Sequence, residues 1–386
     1  MCNGAPVRTP EEWYEKRRPE LKALFQHYVY GYIPPPCEFK AKVTKSASGL
    51  LGGRCNLKEV EIKLEGLPDD APRMRLAIFL PREVKSPVPV LLALNRFGNQ
   101  TVANCPEISI NEAAWLHPQC KRGVDELRGV ERDAWCVDLL IERGYALATI
   151  HESDISPDDS DGLNSGVRRY FPTANVPRES RWGTLAAWAW GLQRAVDYLA
   201  TDPQIDSRRI ALLGHSRRGK AALLAAAFDE RVAMVVPHQS GTAGLALSRD
   251  KNQETVELIS QEFPHWFNDI FPRFAGQEEK LPIDQHLLAA LVAPRALLDT
   301  EGLQDHWANY DSGLSGLKLA DKVWKFLGAK GILHDSAVGI ETKLNSNAVG
   351  EVVQYRLDAP HTLNRNYWQA ILDFADKELR CSTSKV

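Results

Sequence analysis

The stretch Ile210-Ala-Leu-Leu-Gly-His-Ser216-Arg-Arg-Gly-Lys220-Ala-Ala222 constrains this chain more than any other part of it. Four apolar residues suited to a buried strand run into Gly214, then a serine, then an alanine-rich segment suited to a helix. A strand that turns directly into a helix leaves no room for a Cβ at Gly214. The turn is predicted to lift Ser216 clear of the sheet, beside the unpaired N–H groups that open the helix. A serine held there can attack an acyl carbon. Serine is also a favoured helix cap, so these residues alone also allow a purely structural reading.

The rest of the chain supplies a matching frame. Residues 11–32 carry the apolar spacing of an amphipathic helix, closed by Pro34-Pro35-Pro36. Val60–Leu64 and Arg75–Leu80 alternate as antiparallel strands with one face buried, whereas 88–95 is a continuous apolar run suited to burial on both faces. A β/α rhythm follows: a helix from Cys136 stopped at Gly144, a strand over 145–150, a helix over 182–200, then the strand and helix around Ser216. Later strands are predicted at 232–236, 295–299 and 352–357, with a terminal helix over 367–379. This pattern predicts a three-layer α/β/α sandwich of α/β-hydrolase type. It is read as one domain over 1–386, with residues 1–40, a helix and a Pro-rich segment, packed on it. Segments 97–135, 152–180 and 242–286 exceed ordinary loop lengths and are expected to serve the site.

Charge and cysteine content narrow the function class. With 47 basic and 50 acidic residues the formal charge is −3, which gives no field to gather nucleic acid or an anionic membrane. No apolar run approaches the roughly 18 residues a membrane span needs, and the first 20 residues lack the apolar core of a signal peptide. Seven scattered cysteines form no Cys-x-x-Cys pair and leave one or two disulfides open. No metal is expected, and a monomer is.

In an α/β-hydrolase the order along the chain is serine, acid, histidine, with the acid after a late strand and the histidine after the last one. His361 lies in a turn beyond the strand at 352–357 and is the candidate base. Asp305 follows the strand at 295–299 at a distance that suits an acid, while Glu301 and Asp299 remain alternatives closer to the strand. His215, His238 and His306 are read as structural or substrate-lining.

The segment 214–228, GHSRRGKAALLAAAF, resembles the GCSRxGKGA signature of the glucuronoyl esterases, carbohydrate esterase family 15. The segments 95–99, 180–182, 263–267 and 305–309 are similar to bacterial members as well, so the resemblance covers most of the chain from about residue 10. It implies cofactor-free hydrolysis of the ester between a 4-O-methyl-glucuronic acid branch of glucuronoxylan and a lignin alcohol, by an exported enzyme, secreted or periplasmic. It also implies Arg217 as a guanidinium aiding the oxyanion, and Lys220 as a donor to a sugar hydroxyl. Trp307 would be a face for the sugar ring, with Glu254 and Glu262 completing the uronate pocket. Arg218 is read as a solvated neighbour.

The sequence departs from the family pattern where a Pro-Gln-Glu-Ser-Gly-like segment would place the acid. Here it reads Pro237-His238-Gln239-Ser240-Gly241, and an amide cannot stabilise an imidazolium by charge. The acid is therefore expected at the alternative position, Asp305. His215 stands where the signature has Cys, and Ala221 where it has Gly. Two other readings stay open: another carbohydrate esterase of the same fold, acting on acetyl or other uronate esters, and a non-catalytic carbohydrate-binding relative.

Overall fold

The computed structural model of the chain describes residues 1, 4–84, 86–112, 114–118, 120–160, 165–171 and 176–380. The strands β1 (Phe39–Gly49), β2 (Cys55–Leu64), β3 (Met74–Pro81), β4 (Val88–Asn95) and β5 (Ala146–His151) fall in the first half of the chain. They are followed by β6 (Ile205–His215), β7 (Val232–His238), β8 (Ala296–Gly302), β9 (Ala337–Val338) and β10 (Val352–Leu357). All join one sheet in the order β1-β2-β3-β5-β4-β6-β7-β8-β10-β9. Pairing is antiparallel from β1 to β5 and parallel from there on.

Alternation along the central strands builds two cores. Val90 and Leu92 of β4 face a cluster with Leu185, Trp188 and Leu192 of helix α3 (Thr184–Leu199) and Leu223 and Leu224 of α4 (Arg217–Phe228). Phe25 of α1 (Arg18–Phe25) joins the same cluster, as do Leu317 and Trp324 of α6 (Tyr310–Phe326). Leu91 and Ala93 point the other way, against Leu140 of α2 (Val137–Glu142) and Trp368, Ile371 and Leu372 of α7 (Arg365–Ala375). All eight residues of β4 are buried, as expected of a strand covered on both faces. Truncating a fully buried anchor such as Trp188 to alanine is a change of about 3–5 kcal/mol.

Four differences from the sequence reading stand out. The edge strand β1 was not anticipated, because its residues are largely exposed and carry no clear alternation. Strand β8 runs on to Gly302, so Glu301 lies inside the sheet. After Asp305 come a short 3-10 turn (His306–Ala308) and then helix α6, and the long segment 242–286 contains helix α5 (Val256–Glu262). Parts of the 152–180 segment, 161–164 and 172–175, lie outside the described residues, as do Cys2 and Cys381. Among the described residues Cys37, Cys55, Cys105, Cys120 and Cys136 are free thiols, and no helix is long and apolar enough to cross a membrane.

The parallel strands end along one edge of the sheet. Asn95 of β4 pairs with His151 of β5, and His215 of β6 pairs with His238 of β7. Open α/β sheets place their ligand sites beyond such carboxyl ends.

Candidate active site

Ser216 stands between β6 and α4 with φ 61° and ψ −127°, a left-handed conformation that a serine holds only when its surroundings enforce it. The enforcement is visible at the glycines. A Cβ on Gly214 would lie 2.1 Å from the Arg218 carbonyl oxygen, and one on Gly219 would lie 2.8 Å from the Gly214 carbonyl oxygen. The Ser216 N–H donates to the His238 carbonyl at 2.9 Å, which ties the turn to the neighbouring strand. The amides of Arg217 and Arg218 open the helix beside the hydroxyl.

Ser216, Arg217 and His361 line one cavity of about 330 Å³, whose other walls include Arg96, Phe97 and Trp135. His361 presents Nδ1 to Asp305 Oδ2 at 2.5 Å; its side chain is 40% exposed and that of Asp305 only 4%. The second oxygen of Asp305 accepts the Ala308 N–H at 3.4 Å, so the turn after β8 fixes the carboxylate from both ends. The structure thus brings Asp305 to His361, and neither Glu301 nor Asp299. Both alternatives are buried in β8, where burial pushes Asp299 up to about 6 and Glu301 well above the usual carboxylate range.

Three imidazoles lie in series, each tilted against the next by 32–37°. The His361 ring lies 4.5 Å from that of His215, and His215 lies 4.8 Å from His238. His238 is fixed by Thr300 Oγ1 at 2.8 Å and the Thr362 carbonyl at 3.0 Å, and burial pushes it down to about 4. Gln239 reaches His215 Nε2 through Oε1 at 3.0 Å and donates from Nε2 to the Pro360 carbonyl at 3.1 Å. It makes no hydrogen bond to His361 itself.

The two arginines after the serine diverge. Arg217 pairs with Asp158 and lies over the rings of Phe263 and Trp266, each 4.6 Å from its guanidinium carbon. Asp158 also accepts from His265 Nε2 at 2.9 Å and Trp266 Nε1 at 2.8 Å. Burial would raise its pKa, but the bond from His265, the Arg217 charge and the Trp266 bond outweigh burial and hold it well below the usual range. Arg218, read from sequence as solvated, is instead mostly buried and grips both oxygens of Glu152, at 2.6 and 2.7 Å. Burial pushes the Glu152 carboxyl up, and the Arg218 charge opposes that push.

Lys220, Glu254 and Trp307 form a second cluster. Lys220 is 3% exposed, and its ammonium donates to the Ser240 carbonyl at 2.8 Å, the Thr242 carbonyl at 2.6 Å and Glu254 Oε2 at 2.9 Å. An ammonium has three N–H donors, so the expected donation to a sugar hydroxyl finds none unspent in this arrangement. Burial lowers its pKa and Glu254 opposes the shift. Glu254 is buried as well, and its other oxygen takes the indole N–H of Trp307 at 3.1 Å. Trp307 is 46% exposed, so one edge is anchored and a face is left to solvent. Glu262 is not drawn in: it lies exposed at the end of α5, with no hydrogen bond or ion pair to this cluster.

Sequence reasoning missed Asp158 and Glu152, the buried carboxylates that orient the two arginines. Their one signal was indirect: both fall at the start of the long 152–180 segment. Among the described residues no group of His, Cys, Asp and Glu side chains is arranged to hold a metal ion.

A family model described as glucuronyl esterase, fungi, matches residues 134–328. A carbohydrate esterase from an unknown prokaryotic organism is 38% identical over 98% of this chain and 88% of its own length. A 4-O-methyl-glucuronoyl methylesterase of Cerrena unicolor is 28% identical over 85% of this chain and 61% of its own. Among solved structures, a promiscuous CE15 esterase from a marine bacterial metagenome superposes with a TM-score of 0.88 at 36% identity, covering 98% of this chain and 95% of that one. A glucuronoyl esterase from Solibacter usitatus gives 0.89 at 34% identity, with 98% and 96% covered. These neighbours share the α/β-hydrolase architecture of the sheet described above, and the chain belongs to the glucuronoyl esterase family, carbohydrate esterase family 15.

Proposed function

We propose that the chain hydrolyses 4-O-methyl-glucuronoyl esters of glucuronoxylan by a serine mechanism, with Ser216, His361, Asp305 and Arg217 as its working groups. The Ser216 oxygen attacks the ester carbonyl carbon while His361 Nε2 takes the hydroxyl proton. Asp305 holds Nδ1–H, fixing the tautomer and stabilising the imidazolium that forms. The carbonyl oxygen becomes an oxyanion, met by the Arg217 N–H at the head of α4 and by its guanidinium. Collapse breaks the bond to the alcohol oxygen, which leaves with the proton from His361. Water then repeats the sequence on the acyl serine, releasing the free uronate and restoring the serine hydroxyl.

The observation that carries this reading is the meeting of Asp305 with His361 at 2.5 Å, beside a cavity that Ser216 also lines. The sugar is assigned to the Trp307 and Glu254 side, where an aromatic face is exposed beside a buried carboxylate. The alcohol is assigned to the cavity walled by Phe97 and Trp135. The proposed substrate is an extracellular wall polymer, so the chain is assigned to the secreted or periplasmic space. Hydrolysis of benzyl glucuronate faster than the galacturonate ester and acetylated xylose is the test. Ser216→Ala should abolish turnover with the fold intact. Retained turnover in a clean Ser216→Ala preparation would overturn the serine mechanism.

A further inference from the structure

Two of the three departures from the family pattern touch each other. His215, in place of Cys, and Gln239, in place of the acid, share the 3.0 Å hydrogen bond between Nε2 and Oε1. The amide's other end holds the Pro360 carbonyl, one residue before His361. Gln239 also holds a left-handed φ of 47°. A Cβ on Gly302 would lie 2.6 Å from Gln239 Nε2, so the glycine opens the path by which the side chain crosses to that turn. We propose that His215 and Gln239 form one positioning unit for His361: Gln239 fixes the His215 ring and the Pro360 peptide together, and His215 supports the face of the His361 ring.

The parts fit that role chemically, given the triad reading above. Gln239 accepts from His215 and donates to Pro360, a combination that needs an amide; a carboxylate there would set an oxygen against the Pro360 carbonyl oxygen. Burial, with His238, His361 and Arg218 nearby, keeps His215 well below its ordinary pKa and therefore neutral. A neutral ring against the base adds no positive charge to oppose the proton that His361 accepts. His361 is 40% exposed and is held by Asp305 at one edge, so the His215 ring, 4.5 Å away and tilted by 32°, limits its swing on the other side.

The test compares His215→Ala, His215→Phe, Gln239→Ala and the double alanine variant on benzyl glucuronate, with folding checked by circular dichroism. Each single alanine change should lower kcat about 10-fold or more with KM within about threefold, as expected for a misplaced base. The double variant should be no slower than the slower single one, because the pair acts together. His215→Phe keeps a ring on the face of His361 and should recover most of the His215→Ala loss. A kcat loss under about fivefold in the alanine variants, losses that multiply, or His215→Phe as slow as His215→Ala would overturn the proposal. Should an alanine variant fail to fold, Gln239→Met takes its place and should lose kcat about 10-fold, while His215→Phe should stay within about threefold of wild type; Gln239→Met losing less than about fivefold, or His215→Phe losing about 10-fold, would overturn the proposal. If wild type turns over no uronate ester, the failure belongs to the function reading. The His361 Nδ1–H proton signal by NMR then tests the unit directly: it should broaden in the His215→Ala and Gln239→Ala variants, and an unchanged signal would overturn it.

Discussion

Replacing Asp305 by asparagine separates orientation from charge at the base. The side chain is nearly isosteric and equally buried, and an amide oxygen can still accept the Ala308 N–H that Asp305 takes at 3.4 Å. The folded state should therefore lose only about 1 kcal/mol. Catalysis should lose far more. In the proposed mechanism the carboxylate, 2.5 Å from Nδ1, both accepts the N–H and balances the imidazolium. An asparagine that offers its NH₂ favours the opposite tautomer, with the proton on the nitrogen that must receive it from Ser216. By analogy with the buried aspartate of serine proteases the loss in kcat is about 10⁴-fold, or about 5.5 kcal/mol of transition-state stabilisation. Steady-state kinetics on benzyl glucuronate measure it, with thermal unfolding as the folding control. Adding Gln239→Glu should recover nothing, because position 239 bonds His215 and the Pro360 carbonyl and makes no hydrogen bond to His361. A kcat within tenfold of wild type in Asp305→Asn, or a clear rescue by Gln239→Glu, would refute the assignment of the acid.

Asp158→Asn should lower kcat about 10-fold with little change in KM, because the Arg217 guanidinium keeps its two aromatic neighbours but loses the carboxylate that aims it; a pure KM effect would make Arg217 a ground-state contact. Trp307→Ala should raise KM about 3- to 10-fold with kcat nearly unchanged, the scale of one lost aromatic contact; a kcat effect alone would place Trp307 outside sugar binding.

The parts of the site that could be read from sequence are those whose geometry is local in the chain. Gly214-His-Ser216 sits at a strand end and a helix start, so three neighbouring residues define the elbow. His361 and Asp305 followed from the order in which a parallel sheet delivers its strand ends. What stayed hidden rests on distant pairing. Asp158 lies 59 residues from Arg217 and Glu152 lies 66 from Arg218, in a segment with no periodicity. Lys220 reads as a first-turn lysine open to solvent, yet the 240–242 turn folds over it and takes two of its donors while Glu254 takes the third. Strand β1 was missed for the opposite reason: an exposed edge needs no apolar alternation.

Pairing of this kind also decides what the arginines contribute. Buried ion pairs are weak sources of stability, since the loss of hydration offsets most of the attraction, but one partner left alone is costly and so each holds the other in place. Arg217 and Arg218 are adjacent on a helix and project in different directions. One is drawn to Asp158 and the other to Glu152, both from the segment that follows β5. The two pairs fasten that segment to the first turn of α4, next to Ser216 and along the same cavity wall. The Asp158 charge partly neutralises Arg217, so in the proposed reaction what the guanidinium would bring to an oxyanion is less a net positive field than N–H groups already aimed. Donors fixed before the reaction need no reorganisation when charge develops on the carbonyl oxygen, which is where their advantage over water lies. Removing Asp158 would leave the charge of Arg217 greater and its direction looser; the fall in kcat expected for Asp158→Asn follows if the aim of the donors outweighs their net charge, and a rise would show the reverse.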